Sequence, residues 1–409
     1  MTLATDRLLA QTLREESGLL VARLSRRFGD FDLAEEAVQS AVVEALTSWR
    51  RNGPPDRPGA WLQVAAQRNA LDAVRRAARQ RGLAARVEAP APAPERPGTD
   101  DRLALLFACC HPALAPEARL ALTLRAVVGL TTPQIARAFL VNETTLAQRI
   151  VRAKRKIVTA GISLAVPPAS ELTERLGDVL AVVYVMFNEG FVSSIGPTQD
   201  RDLAADAVWL AEVVATSLPR EPEAWGLAAL LTIQHARAAA RFDGSGGLVL
   251  LRDQDRSRWD HPALAAGEDH LRRAAALHSP GRYQLQAAIA ACHASSPSWE
   301  ETDWLQIVAL YDLLLAHDPS PVPRLNRAVA LAQLGPARAE RALADVDRLA
   351  DRLAGYHLFH ATRAQLLTRL GRDDEAAAAN ARALALTGND AERRLLATRL
   401  HRRPLDDGS

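Results

Sequence analysis

Nowhere in this chain do apolar and polar residues alternate over the length of a strand, the pattern a half-buried strand requires. Apolar residues recur instead at three- and four-residue steps, the period that gathers side chains on one face of a helix. Ala, Leu and Arg dominate, all good helix formers, and aromatic residues make up only 5%. The fold expected is therefore nearly all α. With 409 residues the chain has room for two to four domains.

Proline divides it. Glu88-Ala-Pro-Ala-Pro-Ala-Pro-Glu-Arg-Pro-Gly98 carries Pro at alternate positions and excludes both helix and central strand, so 87–99 reads as an extended, semi-rigid tether. A shorter break, Val166-Pro-Pro-Ala-Ser170, follows the next helical block. Three units result: 1–86, 100–164 and 171–405. Residues 1–165 hold 24 Lys and Arg against 16 Asp and Glu, a net of +8, whereas the remainder holds 26 against 32, a net of −6. A basic front half suits a polyanionic partner such as nucleic acid. The purest apolar run, Val179 to Phe187, is closed by Asp178 and Asn188, far short of the ~18 residues of a membrane span. Met1 to Arg14 has no apolar core and does not read as a signal peptide. Three cysteines make no disulfide framework, so a reducing cytoplasm is expected.

In the first unit, Asp32 to Trp49 forms an amphipathic helix with Val38, Val42, Ala45, Leu46 and Trp49 on one stripe. Glu35, Glu36, Gln39 and Glu44 lie outside it. After the turn Asn52-Gly-Pro-Pro55 comes Pro58-Gly-Ala-Trp61-Leu62, then a helix from Gln63 to Arg81. Arg68, Arg75 and Arg79 share one face of that helix, and Asp72 sits four residues from both Arg68 and Arg76. A basic face with an aromatic at its root suits DNA whose strands are separating, since cations hold phosphate and adjoining pockets take unstacked bases. A solvated Arg-rich surface reads from the same residues.

The second unit is more specific. Leu130 to Phe139 is a short helix with Pro133 in its first turn, where a missing N–H costs nothing. The connection Leu140-Val-Asn142 leads to a helix over Glu143 to Ile157, with Asn142 as N-cap. Leu146, Ile150, Ala153 and Ile157 recur at helical spacing and face inward. Thr144, Thr145, Gln148, Arg149, Arg152, Arg155 and Lys156 stay outside. Two short helices joined by a three-residue turn, the second polar at its start and basic later, form a helix-turn-helix. In that geometry the early residues reach base edges and the later ones hold phosphate.

The order of these parts resembles the extracytoplasmic-function sigma factors, small members of the sigma-70 family. Asp32-Leu-Ala-Glu-Glu-Ala-Val-Gln39 is similar to that family's polymerase-binding helix. Pro58-Gly-Ala-Trp-Leu62 with Asn69, Asp72, Arg75 and Arg76 resembles the segment that recognises and melts the −10 element, and residues 130–157 resemble the reader of the −35 element. The likeness extends over residues 5 to 160. Leu105 to Leu114, Tyr184 to Phe191, and Asp253-Gln-Asp-Arg256 with Trp259 further resemble a subgroup with a long C-terminal tetratricopeptide-like extension. The recognition helix begins Asn142-Glu-Thr-Thr where that subgroup more often has Pro and Ala, so no promoter sequence is carried over.

The resemblance implies RNA polymerase core and promoter DNA as partners, with no membrane and no cofactor. Asp32, Glu35, Glu36 and Gln39 would dock on the β′ clamp helices, and the second unit would meet the β flap. Trp61 would support the melting segment, Asn69 would read a flipped base, and Arg68, Arg75 and Arg76 would hold the −10 backbone. Thr144, Thr145, Gln148, Arg149, Arg152 and Lys156 would face the −35 major groove. The tether would thread along the polymerase.

In the third unit, Arg327 to Gly335 and Arg363 to Gly371 align at an offset of 36 residues, each running into an Ala-rich helix. A period near ~34 with Leu-Gly between paired helices is the tetratricopeptide pattern. Glu223 to Arg241 and Leu264 to Leu277 read as a degenerate upstream repeat. Asp253, Gln254, Asp255, Arg256 and Trp259 read either as a capping and salt-bridge element or as a functional contact. Cys109-Cys110-His111 does not match zinc spacing and reads as buried small hydrophobes, and Asp243-Gly-Ser-Gly-Gly247 reads as a turn. No catalytic constellation stands out, so no enzyme is expected. Two alternatives stay open: an operator-binding helix-turn-helix regulator with a repeat sensor, and a scaffold or cryptic enzyme centred on the repeats. In the favoured reading the C-terminal domain regulates or supports a sigma factor, and its acidic charge suits an intramolecular or protein contact.

Overall fold

The structure is a computed structural model, and it describes residues 2–80, 101–139, 141–192, 202–244, 246–388 and 390–401. The tether assigned to 87–99 lies outside them. Among the described residues there are nineteen α-helices and no strand, with one isolated antiparallel bridge between Phe242 and Leu248. None of these helices is long and apolar enough to cross a membrane. Chain contacts divide the molecule into two compact units, the first holding the helices up to Ser217 and the second those from Pro222 onward.

The first unit starts with α1 (Thr2–Phe28), α2 (Phe31–Asn52) and α3 (Pro58–Gln80), which pack pairwise as a three-helix bundle. The side chain of Asp30 starts α2 by accepting from Leu33 N at 3.0 Å. The seam is built from Ala34, Ala41, Ala45, Ala66 and Ala70, none with any exposed surface. Such small residues let the helix axes approach closely, and Leu62 and Trp49 fill the space at the ends.

Next come α4 (Asp101–Cys109), α5 (Pro116–Leu122), a π-helical turn (Thr123–Val127), α6 (Thr132–Ala138) and α7 (Glu143–Thr159). Two long helices complete the unit, α8 (Ala169–Val192) and α9 (Leu203–Ser217). The sequence break at Val166–Ser170 is a bend inside this unit. Helix α8 buries Leu176, Val179, Leu180, Val183, Met186 and Phe187. Arg175 Nη2 donates to Phe107 O at 2.9 Å, and Arg119 Nη1 lies 2.6 Å from Asp178 Oδ1. Arg102 stacks 4.9 Å over the ring of Trp209 on α9.

The second unit comprises α10 (Pro222–His235), α11 (His261–Ala276), α12 (Arg282–Ser295), α13 (Trp304–His317), α14 (Pro321–Ala332), α15 (Pro336–Asp347), α16 (Ala350–Leu353), α17 (His357–Arg369), α18 (Asp373–Leu386) and α19 (Asp390–His401). From α12 onward the helices pack on one another in chain order, except that α15 meets α17 directly past the short α16, with α14 and α15, and α17 and α18, as hairpins. The Leu-Gly pairs of the two aligned segments end α14 and α17. Gly371 adopts φ +71°, a left-handed conformation that closes the α17 terminus at little cost for glycine. Leu325, Leu331, Leu343, Val346, Phe359 and Leu367 form one shared core across these pairs.

Candidate nucleic-acid interface

The best-defined site is the helix-turn-helix. Thr131 and Gln134 form a capping box on α6: Thr131 N donates to Gln134 Oε1 at 2.8 Å and Gln134 N to Thr131 Oγ1 at 3.4 Å. Asn142 caps α7, its Oδ1 accepting from Thr144 N at 2.9 Å. Leu146, Ile150, Ala153 and Ile157 are all buried and anchor α7 on α5 and α6. Thr144, Thr145, Gln148, Arg152 and Lys156 are exposed, and Arg149 is half-buried. The helix thus offers solvent a hydroxyl and amide group at its start and cations along its later turns.

A groove of about 590 Å³ separates α2 from α3, lined by Glu36, Ser40, Glu44, Asn69, Arg76 and Arg79 among others. Asn69 Nδ2 is buried at its edge and has no hydrogen-bond partner. Arg68 pairs with Glu44, and Arg75 lies 3.6 Å from Asp72, so the ion pairs differ from those expected of Asp72 with Arg68 or Arg76. Both pairs are well exposed and contribute little to stability. Trp61 is half-buried and meets the buried Trp49 edge-on, ring centroids 5.6 Å apart.

On α2, Asp32, Glu36 and Gln39 are exposed, but Glu35 is not. Spacing alone put Glu35 outside the apolar stripe; the structure covers it with cations from the helix-turn-helix module. Arg125 Nε lies 3.0 Å from Glu35 Oε1, Lys154 Nζ pairs with Glu35 Oε2, and the same Nζ is 2.9 Å from Asp32 Oδ1. Lys154 also sits 4.9 Å over the Phe31 ring. Neither Arg125 nor Lys154 was legible as a functional residue, because no local pattern links Glu35 to residues so far along the chain, Lys154 being 119 positions away.

The polar segment at 253–260 has a structural account within the second unit. Asp255 caps a short 3-10 turn through Ser257 N at 2.9 Å, and Gln254 Nε2 donates to Val249 O at 3.2 Å. Arg256 Nη1 donates to His293 O and Ser296 O while its guanidinium stacks 4.7 Å over buried Trp259. Asp253 is exposed and lies 3.4 Å from Arg252. The reading as a capping element describes these contacts, with Arg256 clamping the end of α12. Cys109 and Cys110 are buried beside α5, where burial pushes the Cys110 thiol up to about 12, so both remain inert thiols. Asp243 Oδ1 closes the glycine turn by accepting from Gly247 N at 2.8 Å.

The first unit thus presents a helical bundle with a groove lined by both carboxylates and arginines, followed by a capped helix-turn-helix whose second helix exposes a polar and basic face. Comparison with known proteins agrees: residues 13–80 match sigma-70 region 2, and residues 104–157 match sigma-70, region 4. Residues 175–275 match a family of unknown function, DUF6596. The chain is 44% identical over 382 residues to an uncharacterized protein of Rhizobium meliloti (strain 1021), covering 90% of this chain and 89% of that one. No solved structure matches it. The chain belongs to the sigma-70 family of transcription initiation factors, with region 2 in α1–α3 and region 4 in α4–α7.

Proposed function

We propose that this chain is a sigma factor of the extracytoplasmic-function type with a C-terminal tetratricopeptide-like extension that regulates or supports it, acting in the cytoplasm. Region 2 docks on the β′ clamp helices through Asp32, Glu35, Glu36 and Gln39. It engages the −10 element through Trp61, Arg68, Asn69, Arg75 and Arg76, the groove beside Asn69 receiving an unstacked base. Region 4 meets the β flap and reads the −35 element, Thr144, Thr145 and Gln148 at base edges, with Arg149, Arg152 and Lys156 towards phosphate. The 87–99 tether runs between them along the polymerase.

The observation that carries this reading is the pairing of two DNA-facing modules in order, region 4 showing a capped reading helix with its polar face exposed. The stacked helix pairs of the second unit, with Leu-Gly turns at a 36-residue offset, support the tetratricopeptide-like part. Run-off transcription with purified core polymerase tests the whole. Promoter-dependent transcripts that appear only when the protein is added are expected. Tight operator binding without polymerase, and no transcript with it, would favour an operator-binding regulator instead.

A further inference from the structure

The clamp that Arg256 forms on the end of α12 uses only part of its guanidinium. Nη1 donates to His293 O and Ser296 O, yet Nη2 is buried and has no hydrogen-bond partner among the described residues. Two neighbours share that condition. Arg237, just past the end of α10, donates through Nη2 to Gln234 Oε1, while its Nε is buried without a partner. His293 buries Nδ1 in the same state, its ring stacked on Trp299 with centroids 5.9 Å apart. Buried polar groups left unmatched destabilise a fold, so each calls for a reason.

The backbone brings the three together. Asp260 N donates to Ala236 O at 2.8 Å and Arg258 donates to Ala239 O, so residues 236–239 lie along the turn at 256–260. Arg256 in turn holds His293 through its carbonyl. All three residues are half-buried, not sealed, so a small ion reaches them from solvent.

The charge of this corner is lopsided. Burial, then the charges of Arg241 and Arg256, push the Arg237 guanidinium down to about 10, and no carboxylate among the described residues acts on it. Glu300 acts on Arg256 and Glu392 on Arg241, but neither Arg237 nor Arg256 makes an ion pair among the described residues. Arginine stays charged under these conditions, so the corner holds positive charge out of water without a counter-charge. Unpaired buried charge weakens a fold. A bound anion repairs it.

We propose that the N–H groups of Arg237 and Arg256, with the His293 ring beside them, form a binding site for a phosphoryl group in the second unit. A phosphoryl group carries close to two negative charges near neutral pH, matching two unpaired guanidinium groups. Its oxygens point in several directions and accept from donors arriving on different elements, whereas a carboxylate offers one charge and two coplanar oxygens. The site stands independently of the sigma-factor reading.

Calorimetric titration of the full-length chain with inorganic phosphate, phenyl phosphate and succinate tests this. One site per chain is expected for inorganic phosphate, with succinate bound at least ~10-fold more weakly. Phenyl phosphate bound more tightly than the free ion assigns the group to an organic ester; bound no more tightly, it assigns the site to free phosphate. Arg237→Met keeps an unbranched stem and removes the charge, and His293→Phe keeps a ring on Trp299 and removes Nδ1. Both should weaken phosphate binding by at least ~10-fold, whereas Arg272→Met, at a well-exposed position on α11, should leave it unchanged. Without ligand, Arg237→Met should melt above the parent protein by about 2 °C or more, the reverse of losing a structural support. Absence of phosphate binding, succinate bound as tightly as phosphate, or binding retained by Arg237→Met or His293→Phe overturns the proposal. So does a loss of binding in Arg272→Met, or a lower melting temperature in Arg237→Met.

Discussion

Arg256 Nη1 lies 2.7 Å from the carbonyl oxygen of Ser296, across 40 residues of sequence, and the same nitrogen reaches His293 O at 2.6 Å. One cation thus satisfies carbonyls at the end of α12 that have no partner within the helix. Its other face covers Trp259. Arg256→Ala leaves both carbonyls without that donor and uncovers the indole, so the second unit should lose about 2 to 3 kcal/mol. Arg256→Lys should recover only part of this, because an ammonium lacks the planar surface that stacks. Thermal unfolding followed by tryptophan fluorescence measures both, and a variant melting with the parent protein would remove Arg256 from the set of supports.

The same corner makes stability depend on pH. Burial, and then the neighbouring cations Arg237 and Arg256, push the His293 imidazole down from 6.5 to about 4. The folded chain keeps it neutral over a range in which the unfolded chain takes up a proton. Stability is therefore intact above pH 6.5 and is lost as pH falls from there towards 4, by roughly 3 kcal/mol. Urea unfolding between pH 7 and pH 4 should show this loss, and His293→Gln should flatten it. An equal loss in the His293→Gln variant would place the acid sensitivity elsewhere.

What the sequence made legible follows from what is local. The α7 stripe, its Asn142 cap and the exposure of Thr144, Thr145 and Gln148 are set by residues three or four apart, and the structure reproduces them. The Leu-Gly signals likewise mark the ends of α14 and α17 because glycine reaches a backbone region closed to other residues. The burial of Glu35 was not legible, since on its own helix it lies beside Asp32 and Glu36 and looks solvated. Its environment is supplied by Arg125 and Lys154, which no spacing rule connects to it. The attachment of α8 and α9 to the first unit was hidden for a similar reason. Helix α8 is tied to it by Arg119 with Asp178 and Arg175 with Phe107 O, and α9 by Arg102 over Trp209, contacts formed across the Pro167-Pro168 break.

Local capping gives a prediction of its own. Asn142 Oδ1 holds Thr144 N at the start of α7, where the first four N–H groups have no helical partner. Asn142→Ala should cost about 1 kcal/mol, and Asn142→Asp should keep the bond and add a charge that favours the helix N-terminus. Chemical denaturation of the full chain, monitored by hydrogen exchange at residues 143–147, separates this local fraying from global unfolding. Unaltered exchange at those amides in Asn142→Ala would show that α7 starts without help from its cap.

Residues on the exposed face of α7 should divide by readout. Gln148 lies within the first two turns, where a recognition helix meets base edges, whereas Arg152 lies one turn later. Gln148→Ala should cost about 1 to 3 kcal/mol on the preferred promoter and relax discrimination at a single −35 position. Arg152→Ala should weaken binding of all sequences alike and lower the slope of log affinity against log salt by about one, the signature of one lost phosphate contact. Holoenzyme binding to a library randomised over the −35 element, measured at several salt concentrations, distinguishes the two. A uniform loss from Gln148→Ala, with a shallower salt slope, would move that glutamine from base reading to backbone contact. The reading edge of α7 would then be confined to Thr144 and Thr145.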